Sequence, residues 1–221
     1  KGAGIAAQGF TNPVITAPDQ SGSFYEKYVA PLNLIPVEGD KEQAKQLWEQ
    51  ALQEEGISGT VKAELLCYDT DTALLDCQYF QQQVKDALGL ELTIKQVPFD
   101  QKLELSKQGK YEINYAGWGP DYDHPLTYLD MWVTGGAYNE AKYSNPKYDQ
   151  LVEQLRNELD PKKQIEIAVE LEKIIAEEAP VAVIFHRESR YAQKPYVKNI
   201  LRRALGPEHE YKWAYTQGRP Q

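Results

Sequence analysis

The sequence predicts an α/β fold whose centre is a parallel β-α-β-α-β core between residues 61 and 117. Three segments there alternate apolar and polar residues, as half-buried strands do, and apolar patterns of helical period separate them. Because connections this short contain one helix each, we expect parallel strands with right-handed crossovers. Ligands of open parallel sheets bind beyond the carboxyl ends of the strands. Two loops leave such ends, at residues 69–71 and 118–125.

Each element of this core has a start and a stop in the sequence. A helix before it is capped by Asp40, with Gln43 three residues later as in a capping box, and it ends at Gly56. The apolar residues of this helix fall on one face. The strands are predicted at 61–67, 90–94 and 111–117, and the helices between them at 73–88 and from a cap at Asp100 to residue 109.

The flanking parts of the chain are less regular. Residues 1–36 are punctuated by glycine and proline and show no period, which is typical of an irregular connecting segment. Two later helices are capped by Asn145 and Asp160, and the apolar run at 181–185 predicts a buried strand. Residues 187–221 are basic and aromatic, and the short strands predicted there have no evident partner.

The composition excludes some classes of function. The 221 residues carry 24 basic and 33 acidic side chains, a net charge of −9, whereas a nucleic-acid surface needs a basic face. No apolar stretch is long enough to cross a membrane. Aromatic residues make up 11% of the chain and most of them are tyrosine, whose rigid ring and polar tip suit a recognition surface.

No cofactor, metal ion or catalytic group is predicted. The loop after the first core strand is acidic and lacks glycine, so it is unsuited to phosphate, and none of the 3 histidines lies in a triad motif. Asp121, Asp123 and His124 do not have the spacing of a calcium-binding loop. Cys67 and Cys77 match no zinc spacing, and one disulfide bond or two buried thiols are both open.

Acidic side chains near aromatic ones leave two hypotheses. One is a carbohydrate-active enzyme that uses paired carboxylates; its candidates are Asp69, Asp71, Asp121 and Asp123. The other is a carboxylate that holds a cation, which gains a short charge-assisted hydrogen bond and needs no catalytic partner. Aromatic rings beside such a carboxylate can add cation–π contact; these are Tyr115, Trp118 and Tyr122.

The loop after the third core strand resembles the ligand loop of bacterial extracellular oligopeptide-binding proteins of the peptide/nickel type, the receptors of ABC importers. Members typically show W-x-x-D-Y-x-x-P, which here is Trp118, Asp121, Tyr122 and Pro125. The block N-x-x-x-Y-x-N-P-x-Y-D-x-L follows in them, and here it spans residues 139–151. A helix that ends in Ala-Pro and an apolar strand come next, as at 179–185.

The resemblance implies a periplasmic-binding-protein-like lobe and a role for a few residues. Asp121 matches the aspartate that binds the free α-amino group of the peptide. The strand that leads into the loop matches one that pairs with the peptide backbone as an added strand; its residues are Tyr115, Ala116 and Gly117. Trp118 and Tyr122 are expected to line the ligand site, with packing beneath the loop an equal expectation for Trp118. The block at 139–151 is expected to be structural.

The resemblance also implies what lies outside this chain. Receptors of the family are two-lobed and roughly twice this length or more. Residues 1–36 are then a connecting segment, 37–186 the ligand-binding lobe, and 187–221 a C-terminal return segment that packs on the missing N-terminal lobe. The implied partners are an oligopeptide, an ABC importer permease and that lobe, at an extracytoplasmic location with membrane contact only through a lipid anchor outside this fragment. A receptor for a sugar or a metal complex on the same fold is the alternative.

Overall fold

The computed structural model describes residues 4–203, 205–206 and 209–220. Residues 1–3 of the segment predicted at 1–36, and residues 204, 207–208 and 221 of the segment predicted at 187–221, lie outside the described residues. Its helices are α1 (Lys41–Glu54), α2 (Asp71–Leu88), α3 (Phe99–Lys107), α4 (Leu126–Leu129), α5 (Pro146–Asn157) and α6 (Pro161–Glu178). Its strands are β1 (Gly4–Ala6), β2 (Lys62–Tyr68), β3 (Glu91–Val97), β4 (Ile113–Asn114), β5 (Phe185–Arg187), β6 (Val197–Lys198), β7 (Leu201–Arg202), β8 (His209–Glu210) and β9 (Tyr215–Thr216).

These elements form two compact units, which are described separately. We call Glu38–Trp118 the sheet unit, and Lys1–Val37 together with Gly119–Gln221 the helical unit. The lobe predicted at 37–186 contributes residues to both units, and its boundaries stay a prediction. None of the described helices is both long and apolar enough to span a bilayer.

The sheet unit contains the predicted parallel β-α-β-α-β core. β2 lies between β3 and β4, and both pairs are parallel, with β2 and β3 in register from Lys62 opposite Glu91 to Tyr68 opposite Val97. α2 connects β2 to β3 and ends at Gly89, whose φ of 69° lies in the left-handed region that glycine adopts without a steric penalty. The fold class predicted from the sequence is therefore confirmed.

The core of the sheet unit is formed by one face of β2 and one face of α2. Leu65 and Cys67 share a face of the strand because side chains alternate, and Ala73 and Cys77 share a face of the helix because they are one turn apart. Leu90, Leu92 and Tyr115 complete the buried cluster. Burial of each large apolar side chain there stabilises the fold by about 1.5–3 kcal/mol.

The third core strand is shorter than the predicted 111–117. β4 contains only Ile113 and Asn114, and the ladder continues by one bond, from the Tyr115 N–H to the Leu66 carbonyl oxygen at 2.9 Å. The Asp69 N–H donates to the Val97 carbonyl oxygen at 3.1 Å, which keeps the carboxyl end of β2 with β3 rather than with the chain after β4.

Two helices of the sheet unit differ from expectation in detail. The predicted cap of α1 is confirmed, since the Asp40 carboxylate accepts the Gln43 N–H at 2.8 Å. Its apolar face is only partly covered, with Leu47 59% exposed and Trp48 half-buried. α3 begins at Phe99 rather than after Asp100, and its cap position is a proline without a side-chain hydrogen bond.

The helical unit is centred on α5 and α6, whose predicted starts are confirmed. The Asn145 side chain accepts N–H groups at the start of α5, the Asp160 carboxylate does the same for α6, and a proline follows each cap. Tyr148 on α5 is completely buried, and its hydroxyl donates to the Leu129 carbonyl oxygen at 2.5 Å. Apolar faces of both helices are buried with it; they include Val152, Leu155, Ala168, Leu171 and Ile175.

Residues 4–36 contain more regular structure than the irregular connecting segment expected from the sequence. β1 pairs antiparallel with β5, a π-helical turn spans Tyr25–Val29, and Ile15 and Phe24 are completely buried. Glu172 of α6 fastens this segment, because its two carboxylate oxygens accept the N–H groups of Phe10 and Thr11 at 2.7 and 2.8 Å. These bonds join residues far apart in sequence, so the hydrophobic periodicity of a short segment cannot predict them.

Two predictions for the C-terminal part are corrected. The strand expected at 181–185 begins only at Phe185, because β1 offers partners to residues 185–187, and Ile184 is 42% exposed. The strands after residue 187 do have partners, within their own segment: β6 pairs with β9 and β7 with β8, both antiparallel.

His186 is buried in the β1–β5 pair. It lies opposite Ile5, and its ring meets the Tyr25 ring edge-on at a centroid distance of 5.0 Å. Burial lowers the pKa of the imidazole to about 4, although a hydrogen bond to the Gly9 backbone acts in the opposite direction. The buried ring is therefore neutral at neutral pH.

Acid is expected to destabilise the helical unit through His186. The unfolded chain protonates this ring below its ordinary pKa of 6.5, whereas the folded ring stays neutral down to about pH 4. The unfolded state then binds more protons, so stability falls as the pH falls between these values. The free energy of unfolding of the wild type should drop on acidification from pH 7 to pH 4. In His186→Gln this drop is expected to be smaller by about 2–3 kcal/mol.

Urea denaturation at both pH values measures this difference. His209→Gln, in strand β8, is the matched control and should retain the wild-type pH dependence. Equal losses in wild type and His186→Gln would contradict the assignment.

Candidate functional site

The acidic loop after Trp118 is held in place within the helical unit by three hydrogen bonds. The Asp121 N–H donates to the buried Thr127 hydroxyl at 2.9 Å. The Asp123 carboxylate accepts the Thr16 N–H at 2.7 Å, and the His124 Nδ1 accepts the Leu126 N–H at 3.2 Å. These bonds, together with the two prolines of the loop, fix the path of its backbone.

The Asp121 carboxylate is exposed and unengaged. Among the described residues, no hydrogen bond or ion pair occupies its oxygens, whereas the Asp123 carboxylate is bound to Thr16. A carboxylate on a fixed backbone with free oxygens can accept short, charge-assisted hydrogen bonds from a cation without first breaking bonds of its own. The two aspartates are alike in sequence and differ in this respect.

Tyr122 and His124, which follow Asp121 in the loop, are neutral at neutral pH. Burial raises the pKa of the Tyr122 phenol, and the negative charges of Asp130 and Asp121 act in the same direction. Burial lowers the pKa of His124, although a hydrogen bond with Gln164 opposes the shift. The His124 Nδ1 must carry no proton in order to accept the Leu126 N–H, which agrees with a neutral ring.

In the sheet unit, the side chain of Tyr115 is part of the buried core. Its side chain is buried, its hydroxyl donates to the Asp76 carboxylate at 2.7 Å, and its ring packs on Phe80 with centroids 6.0 Å apart. This use of the side chain differs from the cation–π contact considered for it from the sequence.

The backbone after Tyr115 is accessible. Ala116 and Gly117 are exposed, and among the described residues no hydrogen bond engages their N–H or carbonyl groups. β4, which leads into them, pairs only with β2 in the described sheet and is therefore an edge strand there. Trp118 is half-buried. An edge of this kind can accept one more extended strand.

The predicted site residues lie between positions 115 and 122 of the chain but belong to different units. Tyr115, Ala116, Gly117 and Trp118 are part of the sheet unit, and Asp121 and Tyr122 are part of the helical unit. Of the other carboxylates considered for catalysis, Asp69 and Asp71 flank the start of α2 in the sheet unit, where Thr70 is the cap. The described residues contain no cluster of three or more potential metal ligands.

Sequence reasoning missed several residues that shape these surfaces. Thr127 and Thr16 fix the acidic loop, and Thr16 is 107 positions away from Asp123, so no local signal exists for that bond. Phe99, 56% exposed, stacks on Tyr68 at the carboxyl ends of β3 and β2. Because ligands of open parallel sheets bind at the carboxyl ends of the strands, the loop after β3 is a third candidate surface in the sheet unit.

The block at 139–151 is structural, as expected. The Asn139 amide donates to the carbonyl oxygens of Val133 and Tyr143 at 3.0 and 2.7 Å and accepts the Tyr143 N–H at 2.9 Å. Asp149 accepts the Thr134 N–H at 2.9 Å. The Tyr143 hydroxyl binds Glu178, and burial together with this contact raises the pKa of Tyr143 to about 12. The block thus closes the turn before α5 and joins it to α6.

The parallel sheet with its crossover helix is an α/β architecture of the periplasmic-binding-protein-like kind. The family described as bacterial extracellular solute-binding proteins, family 5 Middle, matches residues 1–140. The chain belongs to this family.

Individual relatives agree with this assignment. The chain is 28% identical over 209 residues to the dipeptide-binding protein DppE of Bacillus subtilis (strain 168), which covers 94% of this chain and 37% of that protein. A solved structure of the substrate-binding domain of an oligopeptide ABC transporter from Bacillus anthracis str. Ames matches with a TM-score of 0.82 and 34% sequence identity. This match covers 96% of the present chain and 41% of the Bacillus anthracis chain. The present chain is 28% identical, with a TM-score of 0.81, to Listeria monocytogenes OppA bound to peptide, over 97% and 40%. The chain thus spans between 37% and 41% of the length of these relatives.

Proposed function

We propose that this chain is the C-terminal lobe of an extracytoplasmic receptor that captures oligopeptides for an ABC importer, with Asp121 holding the peptide amino group. The observation that carries the proposal is the exposed Asp121 carboxylate, which has no partner among the described residues and is held on a backbone fixed by Thr127. A peptide ammonium supplies the donors that such a carboxylate lacks.

The exposed backbone of Ala116 and Gly117 accounts for the rest of the recognition. A peptide added as a strand there makes main-chain hydrogen bonds that do not depend on its side chains. An amine anchor together with backbone pairing gives affinity for peptides of many sequences. Trp118, half-buried, and Tyr122, 45% exposed, are the aromatic side chains proposed to contact the ligand.

The relatives support a peptide ligand and a second lobe. Their names describe a dipeptide-binding protein, an oligopeptide ABC transporter and an OppA bound to peptide, and each is more than twice as long as this chain. In the helical unit, β1 and β5 lie side by side, so a lobe joined before β1 and the segment after β5 would meet at one place. Closure of two lobes would then bury the peptide.

The segment after β5 suits a surface that the N-terminal lobe covers. It exposes several large aromatic side chains, Tyr191, Tyr211, Trp213 and Tyr215, among basic residues. Tyrosine and tryptophan are enriched at protein interfaces. We accordingly assign residues 187–221 to packing on that lobe, with the importer permease as the further partner and a lipid anchor outside this chain as the membrane contact.

Identification of the ligands that co-purify with the full-length receptor tests the proposed function. Mass spectrometry of the material released on denaturation is expected to find a mixture of short peptides with free amino termini. Recovery of oligosaccharides or of a metal chelate, and no peptides, would contradict the proposal and favour a sugar or metal-complex receptor on the same fold.

A further inference from the structure

The two cysteines of the chain meet in the core of the sheet unit. Cys67 is the sixth residue of β2, and Cys77 lies in the second turn of α2, which follows that strand. Both side chains are completely buried and belong to the same apolar cluster. Both are free thiols, and each contributes to the pKa of the other, so the two side chains are neighbours.

This meeting follows from the two periodicities of the elements. Cys67 points to the same side of β2 as Leu65, because side chains alternate along a strand. Cys77 points to the same side of α2 as Ala73, one turn earlier, and that side covers the strand. The sequence alone does not show whether the two cysteine side chains point toward each other. Their orientation depends on where α2 begins, which is fixed by the cap at Thr70.

We propose that Cys67 and Cys77 form a structural disulfide bond that fastens α2 to β2, a modification that does not depend on the proposed peptide-binding function. Neighbouring thiols on a strand and on the helix that covers it need only a small displacement to reach bonding distance. The bond would hold the start of α2, and with it the loop at residues 69–71, on the carboxyl end of the sheet.

The oxidant in this proposal is another disulfide, either a small molecule or the disulfide of an oxidoreductase. The thiolate of one cysteine attacks a sulfur of that disulfide, expels one thiolate and forms a mixed disulfide. The second cysteine then attacks the bound cysteine sulfur and expels the other thiolate. The oxidant gains two electrons, and the two protons lost from Cys67 and Cys77 end on its two thiols, so atoms and electrons balance.

Burial determines when this exchange can occur. Burial raises the pKa of both thiols, that of Cys77 to about 12, so the folded sheet unit contains little thiolate and admits no oxidant. The bond therefore forms while the chain folds in an oxidising compartment, before α2 closes over β2. Once formed, it is shielded from reductants in the folded protein for the same reason.

Refolding of the purified protein from denaturant tests the proposal. One sample is refolded with reduced and oxidised glutathione, and another with dithiothreitol. The glutathione sample is expected to lose about 2 Da and to bind no maleimide when it is denatured again without reductant. It is also expected to have a thermal midpoint about 5–10 °C above that of the reduced sample.

Cys77→Ser is the control, since it cannot form the bond, and glutathione should leave its thermal midpoint unchanged. If this variant fails to fold, the comparison of oxidised and reduced wild type still decides the question. Two maleimide labels on the glutathione-refolded protein would overturn the proposal, as would an oxidised form that melts below the reduced one.

Discussion

Asp121→Asn is expected to weaken the binding of peptides with free amino termini by about 30-fold or more in the full-length receptor, because loss of one member of a buried charge pair costs about 2–5 kcal/mol. Asparagine preserves the shape of the side chain and the backbone bond from the Asp121 N–H to Thr127. Only the charge is removed, so the fold should be unchanged. Isothermal calorimetry with one defined peptide measures the effect.

Asp123→Asn is the matched control for this experiment. It removes a carboxylate of the same loop, and the amide oxygen of asparagine can still accept the Thr16 N–H. Its affinity for the same peptide is expected to remain within about threefold of wild type, since surface charges away from a contact have small effects. Similar losses in the two variants would show that general acidity of the loop, rather than Asp121, attracts the ligand.

The second large effect is expected on stability, from Glu172→Gln. Glu172 is completely buried, and both of its oxygens accept backbone N–H groups, from Phe10 and Thr11. Glutamine replaces one oxygen by an N–H₂ group, so one backbone N–H would face another donor. An unsatisfied buried donor costs about 1–3 kcal/mol, and the free energy of unfolding should fall by about that amount.

Chemical denaturation at neutral pH measures this loss. Glu166→Gln, an exposed position on the same helix, is the control and should change stability by less than about 0.5 kcal/mol. A loss in Glu172→Gln no larger than in this control would mean that Glu172 does not fasten residues 10–11. The chain is tightly packed at this point, since a Cβ on Gly9 would approach Val29 Cγ1 to 2.2 Å and Glu172 Oε2 to 3.0 Å. Residues 9–11 therefore have little space in which to shift around a changed side chain at position 172.

The parts of the fold that the sequence predicts are those with local causes. The caps at Asp40, Asn145 and Asp160 and the stop at Gly89 each depend on residues within one helical turn. The parallel orientation of β2, β3 and β4 follows from connection length alone. These features were therefore visible before any tertiary contact was known.

The parts that escaped prediction depend on partners far away in the chain. β5 begins at Phe185 rather than at residue 181 because β1, near the start of the chain, sets its register. The order of residues 4–36 comes from bonds such as that between Phe10 and Glu172, 162 positions apart. Hydrophobic periodicity carries no information on hydrogen bonds between residues so far apart. A segment that is ordered by such bonds therefore resembles an irregular connecting segment when only its sequence is known.

The candidate site divides in the same way. Asp121 is picked out by resemblance to a motif, and composition alone gives it no advantage over Asp69, Asp71 or Asp123. The structure adds the distinction, since Asp123 is used to fix the loop while Asp121 has free oxygens in the described part of the chain. It also assigns the Tyr115 side chain to the core, where its hydroxyl donates to Asp76.

The most direct test of the central claim combines two changes in one thermodynamic cycle. Calorimetry would give the affinities of wild type and Asp121→Asn for one peptide with a free amino terminus and for its N-acetylated form. If Asp121 holds the amino group, acetylation weakens binding to the wild type by about 30-fold or more and has almost no effect on the variant. Equal losses on acetylation in both proteins would contradict the claim and place the amino group elsewhere.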